Sequence, residues 1–147
     1  MPVTVVTDSS ARLPASLADR YGIVQVPLHI TLPDGTEYLE GLDDIPGDVI
    51  STAGATTSGV NPHDLMDAYR DALERSDGDG VVGVHVSRRL SGTWAAARLA
   101  AEELGDSLRV VDSRAAGISV GLTALAAAQA AADGADRDGV YEAAVRA

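Results

Sequence analysis

The stretch Val81-Val82-Gly83-Val84-His85-Val86-Ser87-Arg88-Arg89-Leu90-Ser91-Gly92-Thr93-Trp94 decides the fold. An apolar run of strand length stops, a short hydroxyl-rich turn follows, and an Ala-rich helix opens. Leu90, Trp94, Ala97, Ala101 and Leu104 form the stripe of that helix, and Gly105 ends it. Strand, turn and helix in this order are how an α/β fold builds a pocket for a small anion, because backbone N–H groups converge at the helix start. Gly92 leaves backbone exposed there, and the helix dipole favours a negative group. Ser91 and Thr93 also suit an ordinary N-cap, which stabilises by ~1 kcal/mol, so capping and ligand binding both stand for this turn.

Upstream, Thr56-Thr57-Ser58-Gly59-Val60-Asn61-Pro62 reads as a second hydroxyl turn before a helix. Asn61 caps that helix and Pro62 starts it, which leaves Thr57 and Ser58 without a capping task. Leu65, Met66, Tyr69, Ala72 and Leu73 make its apolar face. Two such turns point to one shared oxyanion site without naming the oxyanion.

The flanks repeat the alternation. Val3 to Thr7 is a buried strand running into Asp8-Ser9-Ser10. A short helix follows Pro14 and stops at Gly22, and Ile23 to Val26 is a second strand. Leu28 to Leu32 alternates into the turn Pro33-Asp34-Gly35, with Thr36 to Leu39 placed to pair back as a hairpin. Asp43 to Ser51 reads as a short helix weakened by Pro46 and Gly47. Leu108 to Val111 is a strand ending in Asp112-Ser113. A long helix runs from about Ile118 to Asp133, and Asp136 to Ala147 reads as another with Val140, Tyr141, Ala144 and Val145 on one face. The expected class is α/β, a mainly parallel sheet flanked by helices, with polar residues past three strand ends where open sheets bind ligands. The pattern places residues 1–147 in one domain, cut within or after the helix starting near 136.

Composition narrows the chemistry. A chain of 147 residues has the size of one domain. With no Phe and one Trp, its core falls to Val, Leu, Ile and Ala. All eleven basic residues are Arg, which excludes a P-loop or Schiff-base lysine. A net charge of −11 argues against nucleic acid and against an anionic membrane surface. Without Cys there is no disulfide, thiolate zinc site or thiol nucleophile. No apolar run approaches the roughly 20 residues of a membrane span, and no leader precedes the first strand, so a cytoplasmic protein without stable membrane insertion is expected.

No catalytic residue and no metal site emerges. Ser91 lacks the Gly-x-Ser-x-Gly elbow, and no triad is visible. His85 sits within a buried strand and reads as a satisfied core histidine; His63, in a first helical turn, reads as exposed. Asp8 and Asp112 are placed to bond backbone N–H groups in strand-to-helix turns, and their spacing gives no support for a metal. A serine hydrolase or phosphotransferase using Ser91, and an interaction module without ligand, remain as alternatives.

Together, Val5-Val6-Thr7-Asp8-Ser9-Ser10, Val26-Pro27-Leu28, Thr57-Ser58, Leu90-Ser91-Gly92-Thr93-Trp94, Val111-Asp112-Ser113 and Ser119-Val120-Gly121-Leu122 resemble the DegV family of bacterial fatty-acid-binding proteins. The resemblance covers the chain and the N-terminal half of the family's usual length, implying an N-terminal DegV-type domain whose second domain is missing. It implies a non-catalytic protein that needs no cofactor and holds a long-chain fatty acid in an apolar tunnel. It also implies presentation of that acid to a fatty acid kinase for phospholipid synthesis. Thr57 and Ser91 match the carboxylate-contacting hydroxyls, and Ser58, Gly92 and Thr93 complete the two turns. The chain departs from the pattern at Gly59-Val60, where Gln-Pro is usual, and at Arg88 and Trp94, where Ser and Tyr are usual.

Overall fold

The computed structural model describes residues 3–39, 56–58, 60–89 and 92–147, with backbone only for 56–58. Four strands, β1 (Thr4–Asp8), β2 (Val24–Val26), β6 (Val81–His85) and β7 (Leu108–Asp112), form a parallel sheet in the order β2-β1-β6-β7. The chain leaves β1 toward β2 on one side, then returns to the other side of β1 for β6 and β7. The reversal between β1 and β6 is a topological switch point, and the crevice outside those strand ends is where such sheets take ligands.

Right-handed crossovers from a strand order that reverses put helices on both faces. On one face, α2 (Pro62–Ser76) and α3 (Thr93–Leu104) pack Leu65, Tyr69, Ala72, Ala97 and Ala100 against Val6, Val81 and Leu108. On the other, α1 (Ala15–Tyr21), α4 (Ile118–Ala132) and α5 (Arg137–Arg146) cover Val5, Val82, Val84 and Val111. Small side chains set the spacing on this second face. A Cβ on Gly121 of α4 would stand 2.6 Å from the Ala11 carbonyl oxygen, so the helix rests directly on backbone.

The caps follow the sequence. Gly22 and Gly105 close α1 and α3, and the Asn61 side chain accepts from the His63 N–H at 2.8 Å to start α2. The stripe of α3 is rotated from expectation. Thr93, Ala97 and Ala100 are buried, whereas Trp94, Ala101 and Leu104 are half-buried, because alanines surround the helix and hydropathy alone does not single out one face. Leu90 and the proposed helix over Asp43 to Ser51 lie outside the described residues.

One expectation is corrected. Thr56–Ser58 is a strand, β5, and not a turn. With β3 (His29–Thr31) and β4 (Glu37–Leu39) it forms a small antiparallel sheet in the order β4-β3-β5. The hairpin is as expected, with Ile30 opposite Tyr38, but β3 also pairs on its other side, placing Ile30 opposite Thr57 and His29 opposite Ser58. Two β-branched threonines favour an extended backbone once a partner edge is available.

Candidate ligand-binding site

The site grows from the strand ends at the switch point. β1 delivers Asp8-Ser9-Ser10, β6 delivers Ser87, and β7 delivers Asp112-Ser113. Several of these hydroxyls build the floor and fasten its loops. Ser9 Oγ accepts from the Leu28 N–H at 2.9 Å, holding the β2–β3 connection against β1. Ser87 Oγ accepts from the Arg89 N–H at 3.3 Å, and Ser113 Oγ accepts from the Ala115 N–H at 3.2 Å.

The two hydroxyl-bearing segments singled out in the sequence are joined by one bond. Thr93 Oγ1 accepts from the Val60 N–H at 3.3 Å. Val60 lies two residues past Ser58, so the bond ties the approach to α2 to the first turn of α3. Gly92 is the N-cap of α3 and Thr93 is its first helical residue, so the Thr93 hydroxyl crosses to another segment instead of capping its own helix. Gly92 is exposed and Thr93 is buried. Thr57 and Ser58 enter by backbone position only, on β5, and Ser91 lies outside the described residues.

Beneath this floor lies a buried polar chain that sequence reasoning saw only in part. His85 Nδ1 lies 2.8 Å from Asp8 Oδ2, and His85 Nε2 lies 2.5 Å from the Tyr69 hydroxyl. All three side chains are fully buried. Asp8 also accepts from the Ser10 N–H at 3.0 Å and from the Ser10 hydroxyl. Burial pushes the Asp8 carboxyl up, but the His85 hydrogen bond, with the Ser10 bonds, holds it below its usual range. Burial, and then the Asp8 charge, push the Tyr69 hydroxyl well above its ordinary value, so it keeps its proton. Proton positions follow. An ionised Asp8 only accepts, so Nδ1–H donates to it, and Tyr69 O–H donates to Nε2.

His85 is therefore the satisfied core histidine expected, with both nitrogens engaged, and Asp8 bonds a backbone N–H as expected. His63 is exposed. Tyr69 was hidden among the apolar residues of α2. The available signal was Gly83 inside an otherwise Val-rich strand: a Cβ there would press on the Tyr69 ring, 3.0 Å from Cζ. Asp112 Oδ1 accepts from the Arg88 and Arg114 N–H groups.

A groove of 740 Å³ runs along β7 between α3 and α5, past Trp94, Val110 and Tyr141, and neither Gly92 nor Thr93 is among the described residues that line it. Arg109 stacks on the Tyr141 ring at 3.6 Å to the centroid and reaches Asp138 at 3.0 Å, tying β7 to α5. Among the described residues, no helix is long and apolar enough to cross a membrane.

A doubly wound α/β domain with hydroxyl-bearing strand ends at its switch point defines a class of small-ligand proteins. Residues 2–146 match a family model described as an uncharacterised protein of the DegV family, and the chain belongs to that family. It is 54% identical over 147 residues to a DegV domain-containing protein of Mycobacterium tuberculosis, covering all of this chain and 52% of the relative. A Thermus thermophilus structure, described as fatty acid binding of a DegV family protein, is 36% identical with a TM-score of 0.89, covering 99% of this chain and 53% of that one. The structure of DegV from Bacillus subtilis, described as a fatty acid binding protein, is 28% identical with a TM-score of 0.82, covering 97% and 52%. The chain thus spans about half the length of the curated relatives it matches.

Proposed function

We propose that this chain is the carboxylate-binding part of a fatty-acid-binding protein. In this reading a long-chain fatty acid is held with its carboxylate at Thr57, Ser58, Ser91, Gly92 and Thr93. The observation that carries the reading is the Val60–Thr93 bond, which links the two segments bearing these residues at the start of α3. The helix start contributes backbone N–H groups and the positive end of its dipole. The fatty-acid-binding descriptions of the Thermus and Bacillus structures support the same ligand.

Binding then divides into two parts. Burying the acyl chain gains about 0.8 kcal/mol per methylene, so ten or more outweigh most of the ordering cost. The hydroxyls and helix start fix which end is bound. The protein works as a carrier without catalysis, in the cytoplasm, presenting its cargo to a fatty acid kinase that feeds phospholipid synthesis. His85, engaged on both nitrogens in the core, gives no support to a serine hydrolase built on it.

The test is a titration of the full-length protein with a fatty acid and with the matching alcohol. Replacing Thr57 and Ser91 together by Ala is expected to weaken the acid more than the alcohol. Equal losses for both would remove the assigned carboxylate roles. No bound fatty acid by native mass spectrometry, before or after addition, would remove the ligand itself.

A further inference from the structure

Two loops at the carboxyl ends of β6 and β7 are zipped together. The Ser87 N–H donates to the Ala115 carbonyl at 2.9 Å, and the Ser113 N–H donates to the His85 carbonyl at 3.2 Å. Asp112 Oδ1 accepts from two backbone N–H groups, those of Arg88 at 3.3 Å and Arg114 at 3.0 Å. Arg114 is held at φ 56, left-handed backbone that is uncommon outside glycine. Arg12 and Asp77 share that conformation, but each closes a helix end. Arg114 instead lies in the loop between β7 and α4, where the Asp112 bond fixes its direction.

This folding gathers arginines from both loops. Arg88, Arg89 and Arg114 line one cavity of 410 Å³, completed by Ser87 and Asp112. Among the described residues, three arginines and one aspartate line it, in a chain whose overall charge is −11. Asp112 offsets one of these three charges. Its Oδ1 is taken by backbone N–H groups, and Oδ2 stands 3.6 Å from Arg88 Nε, beyond a good hydrogen bond. Arg88 is further steadied over the Trp94 ring, 5.6 Å from its centroid.

We infer that this cavity, whose described lining includes neither Gly92 nor Thr93, is a binding site for a phosphate monoester or a similar dianion. Guanidinium groups stay charged and present paired donors that match phosphate oxygens. Among the described residues the local excess of positive charge matches a dianion, whereas a carboxylate monoanion leaves one charge uncompensated. The carboxyl ends of parallel strands are the usual ligand position of such sheets. The inference does not rest on the lipid reading: a chain that bound no fatty acid would keep this cavity and its charge.

The experiment is a titration of the protein with inorganic phosphate at constant ionic strength, made up with chloride and followed by backbone amide NMR. Saturable shifts are expected at the Arg88, Arg89 and Arg114 amides. The double variant Arg88→Gln/Arg114→Gln is expected to bind at least about tenfold more weakly, since charge-assisted bonds dominate. Arg20→Gln, on α1, serves as the control and is expected to bind as the parent does. All three cavity arginines are exposed, so the substitutions leave the core intact. Sedimentation with phosphatidylcholine vesicles containing phosphatidate distinguishes a lipid headgroup from a free phosphate ester. Binding that the double variant loses identifies the headgroup; phosphate binding without vesicle binding identifies the free ester. Shifts that rise linearly without saturating, an unchanged double variant, an equal loss in Arg20→Gln, or equal affinity for acetate would each overturn the proposal.

Discussion

Replacing Gly83 by Ala is expected to unlock the buried chain beneath the site. A Cβ at that position would stand 3.0 Å from Tyr69 Cζ and 3.2 Å from Cε1, and would overlap the phenol oxygen. Tyr69 is fully buried on the face of α2 that meets the sheet, so its ring has little room to withdraw. Overpacking of this kind costs about 1–3 kcal/mol. Pushing the hydroxyl from His85 leaves buried Nε2 without its donor, which costs about 1–3 kcal/mol more. The combined loss is then about 2–6 kcal/mol, a large share of the roughly 5–15 kcal/mol that holds a domain together. Urea unfolding provides the assay, read as a shift in midpoint at unchanged slope. Tyr69→Phe alone is expected to cost about 1–3 kcal/mol, because the same nitrogen loses the same donor. In the double variant that bond is lost only once, so the two single losses should exceed the double loss by about 1–3 kcal/mol. A Gly83→Ala loss within about 0.5 kcal/mol of zero, or strict additivity with Tyr69→Phe, would refute the reasoning.

The remaining expectations concern the same floor. Tyr69 has a raised folded-state value, so its contribution is full below the ordinary tyrosine range near 10.0 and is lost as pH climbs toward the folded value. Stability should therefore fall above about pH 10, and Tyr69→Phe should flatten that limb when unfolding is followed against pH. Asp8 shifts the other way: its stabilisation is full above the ordinary value of 3.8 and is lost as pH falls through the lower folded value. Asp8→Asn should show a shallower acid limb than the parent, and an identical limb would show that Asp8 does not drive it. Thr93→Val removes the acceptor for the Val60 N–H and should cost about 0.5–1.5 kcal/mol, with Thr93→Ser restoring most of it; equal losses for the two would show the bond contributes nothing.

The sheet and its helices were legible because their signals are local. Val81 to Val84 reads as a buried strand wherever it sits, and Asn61-Pro62, Gly22 and Gly105 punctuate helices through their own backbone preferences. What was missed depends on distant partners. Thr56–Ser58 looked like a turn because its polar run shows no alternation, and its strand partner His29–Thr31 lies far upstream. Asp8 and His85 are 77 residues apart, so their contact left no trace in spacing. Tyr69 was read correctly as buried, yet nothing local showed that its hydroxyl has a task. Of the candidate site, the strand-end positions and the capping of α2 were readable, and the crossing of Thr93 to Val60 was not. A capping hydroxyl and a bridging one look alike until the other segment is in place.

The Asp8–His85 contact has a further consequence for motion. It clamps the β1–β6 pair at the end where the switch-point crevice opens, and both side chains are sealed from water. Parting these strands would strand a buried carboxylate without its imidazole, so the sheet cannot breathe there without a large opening free energy. The Thr7 and Val84 amides should therefore be among the slowest in the protein to exchange with deuterium.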